Sequence, residues 1–292
     1  MDVLVVGASG LLGGNVVTVA QERGWSVAGT YHSDPPAFDC PLYELDVRSS
    51  AECENVLEET SPDAVINCAA ATDVDDCENN PGLATNVNAE GAGTVAELAA
   101  ETDTALLHTS TDYVFDGTRS SPYPETASTN PIQVYGTSKL EGERAVQQAH
   151  DTAIVARLSF VYGRTQPEGE LSGFPAWVRE TAKGGETVPL FTDQRITPSQ
   201  AGTTARTLLD LLDHDAKGTF NVASRSCVTP YEFGEALLEE FGELTDLLEE
   251  SSVEDIDRDA DRPKYTCLDT SKVESALGRP QPTLDEDFAA LF

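Results

Sequence analysis

Three glycines placed directly after the first predicted strand constrain the fold of this chain more than any other feature. Val3–Val6 is an apolar run typical of a buried strand, and the segment Gly7–Gly13 (GASGLLG) follows it and begins the first predicted helix. In such a turn the first glycine permits the tight bend, the second lets the backbone approach a pyrophosphate, and the third lets helix and strand pack closely. The amides at the amino end of the helix attract anions. The motif therefore predicts a dinucleotide site that comprises Gly7, Ser9, Gly10, Leu11, Leu12 and Gly13.

Apolar runs alternate with helical patterns through the first 160 residues. The predicted strands are Val3–Val6, Ser26–Tyr31, Ala64–Cys68, Ala105–His108 and Ala153–Leu158. The predicted helices lie near Leu11–Arg23, Ala51–Glu59, Leu83–Glu101 and Val134–Ala149. Strands that alternate with helices require crossover connections, which place the strands parallel in a sheet covered on both faces. The pattern predicts an α/β fold with a doubly wound parallel sheet of the Rossmann type.

The alternation ends near Gly163, after which proline and glycine become frequent. A helix is predicted over Ser199–Leu212, a short strand over Thr219–Val222, and a further helix that begins at Pro230, since proline suits the first helical turn. We therefore expect residues 1–163 to form a dinucleotide-binding domain and residues 164–292 to form mainly a smaller, interleaved substrate lobe. Residues 197–222 are expected to return to the first domain.

The charge of the chain argues against two classes of partner. There are 51 acidic and 18 basic residues, which give a formal net charge of −33, and there is no basic run. Nucleic acids and anionic membrane surfaces both require clustered lysine or arginine, so neither is an expected partner. Hydrophobic residues make up 39% of the chain, too many for a disordered polyelectrolyte. A folded, acidic, lysine-poor chain is typical of extreme halophiles, in which molar salt screens self-repulsion; an ordinary acidic protein of a mesophile is the alternative.

The cysteines and histidines predict neither a metal site nor a thiol nucleophile. The six cysteines contain no C-x-x-C pair, and the four histidines show no metal-ligand spacing. A disulfide framework is typical of short secreted chains, so the cysteines are expected to be packing residues. Because the chain begins directly with a strand and has no apolar run of about 20 residues, we expect a cytoplasmic protein without a membrane segment.

Tyr135 and Lys139 form the strongest catalytic pattern. They lie four residues apart in a predicted helix, which puts both side chains on one face, about 6 Å apart along the axis. A free phenol, with a pKa near 10, exchanges protons poorly at neutral pH. A cation about 4 Å away would favour the phenolate by up to about 4 kcal/mol, so Lys139 is expected to lower the pKa of Tyr135. A pair of surface residues on a helix is the alternative interpretation.

A cluster of hydroxyls follows the fourth predicted strand. Thr109–Thr111 come directly after His108, and hydroxyls at the carboxyl end of a parallel strand point into the ligand crevice. Thr111 is therefore expected to hydrogen-bond a substrate carbonyl beside the Tyr135 phenol. Such a cluster alone usually marks a turn, and it gains weight here because Tyr135 follows 24 residues later.

The end of the second predicted strand bears on the choice of cofactor. An acidic residue there would bind the ribose hydroxyls of NAD, but Tyr31, His32 and Ser33 occupy the position, and no arginine or lysine clamps it. Ser33 and His32 are candidate donors to a 2′-phosphate. NADP(H) is accordingly the favoured cofactor and NAD(H) the alternative.

Taken together, these motifs resemble the extended short-chain dehydrogenase/reductases and, among them, the dTDP-4-dehydrorhamnose reductase family. The resemblance runs over almost the whole chain, and its most specific segments are Ser110–Phe115 (STDYVF) and Arg262-Pro263. It also includes Asn67–Ala70, Val74–Glu78, Val87–Ala89, Tyr135–Lys139, Arg157–Gly163, Asp193-Gln194 and Asn221-Val222.

The resemblance implies hydride transfer from NAD(P)H to the C4 carbonyl of a 4-keto-6-deoxy sugar nucleotide. Tyr135 would donate the proton, while Lys139 would tune Tyr135 and hold the nicotinamide ribose. Thr111 would polarise the carbonyl, and Asn88 would support Lys139 in a proton relay. The further cofactor-binding residues implied are Asp46, at the adenine, with Val47, Cys68, Ala69 and Ala70. The substrate-binding residues implied are Thr72, Asp73, Val74, Thr111, Asp112, Phe160 and Arg262.

The chain departs from the family at two positions. Phe160 stands where the family often has a tryptophan that packs on the sugar, and Asn15 stands where well-studied members carry a glutamate that serves a metal-bridged dimer. No metal is therefore expected, and the protein is expected to be a monomer or a homodimer. Two alternatives stay open: another nucleotide-sugar reductase or epimerase of the extended family, and a non-catalytic regulatory subunit like that of methionine adenosyltransferase.

Overall fold

A computed structural model describes residues 1–243 and 245–291, and the frame of this part of the chain is a seven-stranded parallel sheet. The strands of that sheet are β1 (Asp2–Val6), β2 (Ser26–Tyr31), β3 (Leu42–Glu44), β4 (Ala64–Asn67), β5 (Ala105–Thr111), β6 (Ile154–Leu158) and β10 (Gly218–Asn221). The strands outside it are β7 (Val161–Tyr162), β8 (Val188–Phe191), β9 (Ser199–Gln200) and β11 (Leu248–Ser251). The spatial order is β10-β6-β5-β4-β1-β2-β3, and each neighbouring pair is parallel. The predicted doubly wound sheet of the Rossmann type is confirmed.

Helices cover both faces of the sheet and build the lobe. They are α1 (Leu11–Glu22), α2 (Ser50–Thr60), α3 (Val74–Asn79), α4 (Pro81–Thr85), α5 (Ala92–Glu101), α6 (Val134–Ala149), α7 (Gly173–Lys183), α8 (Ala201–Asp213), α9 (Pro230–Glu240), α10 (Ser271–Leu277) and α11 (Leu284–Leu291). In the described part of the chain, none of these helices combines the length and the apolar run that crossing a membrane requires.

The central strands are apolar because both faces of the sheet are covered. On one face β1 and β4 pack against α1 and α8, and on the other they pack against α2, α5 and α6. β1 has β2 on one side and β4 on the other, so the winding of the chain reverses between β1 and β4. A crevice forms at such a switch point, outside the carboxyl ends of the strands, and it is the usual ligand site of an open α/β sheet.

The second half of the chain builds a separate apolar cluster beside that crevice. Phe233 and Leu237 of α9, Phe288 of α11 and Val178 of α7 pack there against the parallel pair formed by β8 and β11. Helix α9 begins with a capping box, since Thr229 Oγ1 accepts the Glu232 amide at 3.0 Å and the Glu232 carboxylate accepts the Thr229 amide at 2.7 Å.

The segment 197–222 contributes α8 and β10 to the layers of the large sheet. β10 lies at the sheet edge beside β6, with Gly218 opposite Ile154 and Asn221 opposite Arg157. The division of the chain at residue 163 into two domains itself stays a prediction.

Several boundaries differ from the predicted ones for local reasons. The strand predicted over Ala105–His108 continues to Thr111, because β6 pairs with it that far. The helix predicted over Leu83–Glu101 is interrupted by a π-helical segment, Asn86–Gly91. The helix predicted from Ser199 begins at Ala201, since residues 199–200 pair with β7. Strand β3, only three residues long, and helix α7 were not predicted.

One pair of cysteines contradicts the expectation that all six are packing residues. Cys227 and Cys267 form a disulfide across 40 residues of chain, whereas Cys40, Cys53, Cys68 and Cys77 are free. The pair joins the segment before α9 to the segment before α10, where the two Cα atoms approach to 5.6 Å. Only the tertiary fold brings these residues together, so neither the spacing nor the length of the chain marks the pair.

Candidate active site

A cleft of about 880 Å³ opens at the carboxyl ends of β1, β4 and β5 and extends to the lobe. Phe174 of α7, Phe191 of β8 and Ile196 close it on the lobe side. Most of the site residues predicted from the sequence line this one cleft, namely Gly7, Ser9, Gly10, Leu11, Leu12, Gly13, Tyr31, His32, Asp46, Val47, Cys68, Ala69, Ala70, Thr72, Val74, Thr111, Asp112, Tyr135, Lys139 and Phe160.

The glycine turn is fixed by contacts within the protein at its first and last glycines. At Gly7 the backbone φ is +85°, and a Cβ there would lie 2.9 Å from the amide nitrogen of Ala69. At Gly13 a Cβ would lie 2.1 Å from the Gly7 carbonyl oxygen. Gly10 differs, because the nearest atom to a Cβ there is 3.5 Å away. The second glycine thus leaves space on the cleft side, which fits the close approach of a ligand.

The amino end of α1 fits a diphosphate group. The helix begins after Gly10 without a side-chain hydrogen bond to its first amides, and Leu11 and Leu12 line the cleft. Uncapped amides and the positive end of the helix dipole together favour an anion at this place. The described residues therefore fit the dinucleotide that the glycine motif predicts.

Three ionisable side chains, His32, Asp46 and Arg48, meet at the end of the cleft next to β2. Arg48 donates from Nε to both carboxylate oxygens of Asp46, at 2.8 and 3.0 Å. These hydrogen bonds hold the pKa of Asp46 down to about 2, although partial burial opposes them. His32 is also near Asp46, with Nε2 at 3.8 Å from the carboxylate. Arg48 lines the cleft and supplies a cation there, although no arginine or lysine lies at the end of the second strand itself.

Tyr135 and Thr111 meet on one wall of the cleft. Thr111 ends β5, Tyr135 lies in the first turn of α6, and the two side chains are close enough for the Thr111 hydroxyl to lower the pKa of Tyr135. The helix approaches closely because residue 136 is glycine: a Cβ there would lie 2.1 Å from the Tyr113 carbonyl oxygen. Gln133 caps the helix by accepting the Gly136 amide at 2.6 Å. The local sequence thus brings the predicted phenol to the predicted hydroxyl.

The pKa of Tyr135 moves in the direction opposite to the one expected from its spacing to Lys139. Burial raises this pKa well above its ordinary value, and the nearby Thr111 hydroxyl only partly opposes burial. The expectation failed because it counted one nearby cation and left out desolvation, which disfavours the phenolate. The phenol is therefore held in its protonated form.

Lys139 is buried and bound to the strand beside it. Its Nζ donates a hydrogen bond of 2.6 Å to the Thr109 carbonyl. Burial lowers the pKa of Lys139 to about 8, while the charge of Glu143 opposes that effect. Glu143 itself forms a buried ion pair with Arg157, with Oε2 2.7 Å from the guanidinium, and accepts the Ser110 hydroxyl at 2.6 Å. This network fixes α6 against β5 and β6.

Asn88 lies behind the cleft, in the π-helical segment. Its amide donates to the Ala71 carbonyl and to Ser138 Oγ, both at 3.0 Å, and its carbonyl accepts the Ala71 amide at 2.8 Å. The backbone of Asn88 packs directly on α6, since a Cβ at Gly142 would lie 2.1 Å from its carbonyl oxygen. Asn88 thus ties the loop after β4 to the helix that carries Tyr135 and Lys139, without lining the cleft.

A buried carboxyl lies next to Thr111. Burial raises the pKa of Asp112 to about 6, even though it accepts hydrogen bonds from Ser159 at 2.7 Å and from Thr111 at 3.1 Å. Thr111, Asp112 and Ser159 therefore form a continuous chain of hydrogen-bonding side chains beside Tyr135. To polarise a carbonyl in the cleft, the Thr111 hydroxyl must turn its proton from Asp112 toward that oxygen.

Four predicted site residues lie outside the cleft lining, and Asn88 is one of them. Asp73 caps α3 by accepting the Asp76 amide at 2.8 Å, and Ser33 contacts His32 at 3.0 Å. Arg262 pairs with Asp75 at 2.7 Å. The sequence predicted that these residues contact a ligand, but their polar groups bind partners within the protein instead.

The lining also contains polar residues that sequence reasoning missed. Arg48, Tyr113, Gln194 and Arg258 all face the cleft. Arg48 follows Asp46 by two residues and was detectable from that position. Arg258 belongs to an acidic stretch far along the chain, where no local pattern marks it.

Metal ligands are not grouped in the described part of the chain, where no cluster of three or more His, Cys, Asp and Glu side chains could hold an ion. Asn15, which stands where the family resemblance places a glutamate, donates to the Leu11 carbonyl at 2.8 Å and to the Arg164 carbonyl at 3.0 Å. Its amide connects α1 to the start of the lobe.

Comparison with known proteins assigns this architecture to a family. The family model described as the RmlD substrate binding domain matches residues 1–292. The chain is 50% identical over 291 residues to the probable low-salt glycan biosynthesis reductase Agl14 of Haloferax volcanii, covering 100% of this chain and 97% of that protein. It is 30% identical to a dTDP-4-dehydrorhamnose reductase of Aggregatibacter actinomycetemcomitans, over 94% of this chain and 92% of the relative.

Two further similarities bear on the alternatives. The chain is 31% identical to methionine adenosyltransferase 2 subunit beta of Xenopus laevis, over 96% of this chain and 84% of that protein. Among solved structures, the dTDP-4-dehydrorhamnose reductase of Bacillus anthracis, in complex with NADP, superposes with a TM-score of 0.89 at 26% identity. That similarity covers 100% of this chain and 98% of the solved chain.

Proposed function

The chain belongs to the RmlD substrate binding domain family of nucleotide-sugar reductases, and from this premise we propose that it uses NADP(H) to reduce the C4 ketone of a 4-keto-6-deoxy sugar nucleotide. The observation that carries the proposal is the meeting of Tyr135 and Thr111 on one wall of the cleft, with Lys139 buried one helical turn along. A proton donor beside a hydrogen-bond donor is the arrangement that carbonyl reduction needs.

The residues of the glycine turn and the amino end of α1 would hold the dinucleotide. When bound, the nicotinamide supplies the hydride that the carbonyl carbon accepts. Tyr135 holds its proton at Oη because burial raises its pKa, and it releases that proton as negative charge grows on a carbonyl oxygen beside it. Thr111 donates a hydrogen bond to the same oxygen. Lys139 restores charge balance, since its ammonium favours the phenolate left behind.

The end of the cleft next to β2, where the adenosine of the cofactor would lie, supports NADP(H) over NAD(H). Arg48 and His32 face this end and suit a 2′-phosphate, because a guanidinium matches phosphate oxygens in a forked geometry. The similar Bacillus anthracis enzyme was solved with NADP. Asp46 forms an ion pair with Arg48, and this pairing weakens the attraction of the Asp46 carboxylate for the ribose hydroxyls of NAD(H).

The similarity to methionine adenosyltransferase 2 subunit beta favours a second candidate, a regulatory subunit without catalysis. The presence of Tyr135, Thr111 and Lys139 in the lining of one cleft argues for an enzyme instead. A cytoplasmic location, and a monomeric or homodimeric state with a nucleotide sugar as the small-molecule partner, complete the proposal.

The test is an assay in molar KCl with NADPH and a panel of nucleotide sugars. We expect NADPH to be consumed with 4-keto-6-deoxy sugar nucleotides and not with the matching 4-hydroxy compounds, and NMR of the product to show a new hydroxyl at C4. An epimerase would convert its substrate without net oxidation of NADPH. Cofactor binding with no turnover on any 4-keto sugar nucleotide would favour the regulatory subunit.

A further inference from the structure

Although the protein as a whole is strongly acidic, the cleft is not. Three cations, Arg48, Lys139 and Arg258, and two carboxyls, Asp46 and Asp112, line it, whereas the chain has a net charge of −33. Asp46 is paired with Arg48, and Asp112 is buried with a raised pKa. In such a protein a cleft free of unpaired surface carboxylates is where an anionic ligand can bind.

Arg258 is the cation in that cleft without an ionic partner. Arg48 pairs with Asp46, and Lys139 is bound to Thr109. Among the described residues, no carboxylate lies within ion-pair distance of the Arg258 guanidinium, which stacks 5.1 Å from the centre of the Phe191 ring. The stacking holds the stem in place and leaves the hydrogen-bond donors of the guanidinium to face the cleft.

Arg258 belongs to residues 252–262, a segment that we name the strap. Two carboxylates fix the strap at its ends. At its start, Asp193 accepts the Ser252 hydroxyl and the Val253 amide, both at 2.9 Å. At its end, Asp75 accepts the Ala260 amide at 3.0 Å and the Arg262 guanidinium at 2.7 Å. The strap thus runs from the lobe, where Asp193 holds its start, to α3, where Asp75 holds its end.

None of the five acidic residues of the strap lines the cleft, and three of them are bound to other partners. Glu254 binds Lys264 at 2.9 Å, Asp255 accepts the Ser252 amide at 2.7 Å, and Asp259 accepts the Asn79 side chain at 2.7 Å. Of the whole strap, only Arg258 lines the cleft.

We propose that Arg258 binds the diphosphate of the nucleotide-sugar substrate and that Asp193 is a positioning residue, which acts by anchoring the strap. The position supports the substrate rather than the cofactor, because Arg258 lies with Phe191 on the lobe side of the cleft, whereas the glycine turn lies at the carboxyl end of β1. This inference rests on the proposed function and specifies which residue recognises the charged part of its substrate.

The test measures binding by calorimetry, without catalysis, of a nucleoside and its mono- and diphosphate in matched KCl. The panel covers thymidine, uridine, guanosine and cytidine. For the preferred base, we expect Arg258→Gln to weaken diphosphate binding about 10- to 100-fold and to leave nucleoside binding unchanged. Arg258→Lys should recover part of the loss. In turnover, KM should rise while kcat stays within about twofold, since the contact binds ground and transition states alike.

Arg144→Gln is the matched control, because Arg144 is an exposed residue of α6 outside the cleft lining and its loss changes the net charge equally. This variant should bind the diphosphate as the wild type does. Asp193→Asn should weaken diphosphate binding in the wild-type background and add little to Arg258→Gln, because its effect passes through Arg258. NADPH affinity should be unchanged in all four single variants.

Each contrary result has a distinct meaning. If the wild type binds the diphosphate and Arg258→Gln binds it equally well, Arg258 is not its ligand and the inference is wrong. If Asp193→Asn weakens binding equally in both backgrounds, the anchoring role is wrong. If the wild type binds no nucleoside diphosphate at millimolar concentration, the proposed function fails and this inference fails with it.

Discussion

The Lys139 ammonium donates a 2.6 Å hydrogen bond to the Thr109 carbonyl, two residues before Thr111 on β5. This contact joins the helix of Tyr135 to the strand of Thr111 at the wall of the cleft. The Glu143–Arg157 ion pair reinforces it from behind, because Glu143 lies one turn after Lys139 on α6. The relative position of the Tyr135 and Thr111 hydroxyls therefore depends on the Lys139 ammonium, whose pKa is lowered by burial.

The first prediction concerns the pH dependence of turnover. The pKa of Lys139 is lowered to about 8, so the ammonium is present below that pH and is lost as the pH rises through it. We expect kcat to fall on the alkaline side with a midpoint near pH 8, because a neutral amine no longer stabilises the phenolate. Lys139→Met should lower both turnover and NADPH affinity. A pH profile of kcat that is flat to pH 10 would contradict this role.

The second prediction concerns cofactor choice. We expect the wild type to bind NADPH at least as tightly as NADH, and Arg48→Ala to weaken NADPH about 10-fold or more while changing NADH little. The reason is that only NADPH carries the 2′-phosphate that the guanidinium can meet. Dissociation constants in matched salt measure the effect. Tenfold tighter binding of NADH by the wild type, or equal losses for both cofactors in Arg48→Ala, would exclude Arg48 as the discriminating residue.

The third prediction concerns a buried carboxyl far from the cleft. Burial raises the pKa of Asp287 on α11 to about 7, although Thr203 donates to it at 2.6 Å. The folded protein keeps the Asp287 proton between about pH 4 and 7, whereas the unfolded chain does not. The free energy of unfolding therefore falls as the pH rises through this range and does not change further above it. Asp287→Asn should therefore gain about 1 kcal/mol or more over the wild type at pH 8 and nothing at pH 4.

Urea unfolding at both pH values measures that difference. Asp285→Asn on the same helix is the control, because Asp285 is exposed and its loss changes the net charge equally. Equal gains in the two variants at pH 8 would mean that general charge repulsion, rather than burial of Asp287, is responsible.

The fourth prediction follows from the net charge of −33. Repulsion among carboxylates is screened within about 3 Å at molar salt and over about 10 Å at 0.1 M. We expect the thermal midpoint to rise steadily from about 0.1 M to about 2 M KCl, the change expected of a halophilic protein. The measurement is thermal unfolding followed by circular dichroism. A midpoint that does not change over this range would leave the acidic composition without a role in stability.

The sequence was sufficient for the sheet and for one side of the site, because those depend on local rules. Gly7–Gly13 specify a turn through contacts that only glycine permits, and the spacing of Tyr135 and Lys139 specifies a shared helix face. Thr111 was placed correctly because the end of a parallel strand faces the crevice.

The remainder depends on tertiary contacts that no local pattern encodes. Arg262 was expected at the site but is paired with Asp75, whereas Arg258, four residues earlier, faces the cleft. The disulfide of Cys227 and Cys267 and the raised pKa of Tyr135 likewise arise only when distant segments pack together. Desolvation in particular is invisible to an argument that counts charges along a helix.

The central claim is that the Tyr135 phenol donates the proton in a carbonyl reduction. Tyr135→Phe removes one hydroxyl, whereas Tyr43→Phe removes one from β3 outside the cleft lining and serves as the control. The decisive measurement is NADPH oxidation by both variants with the nucleotide sugar that the wild type reduces best. We predict that Tyr135→Phe lowers kcat about 10²- to 10⁴-fold with NADPH affinity nearly unchanged, and that Tyr43→Phe behaves as the wild type. Undiminished turnover in Tyr135→Phe would contradict the account.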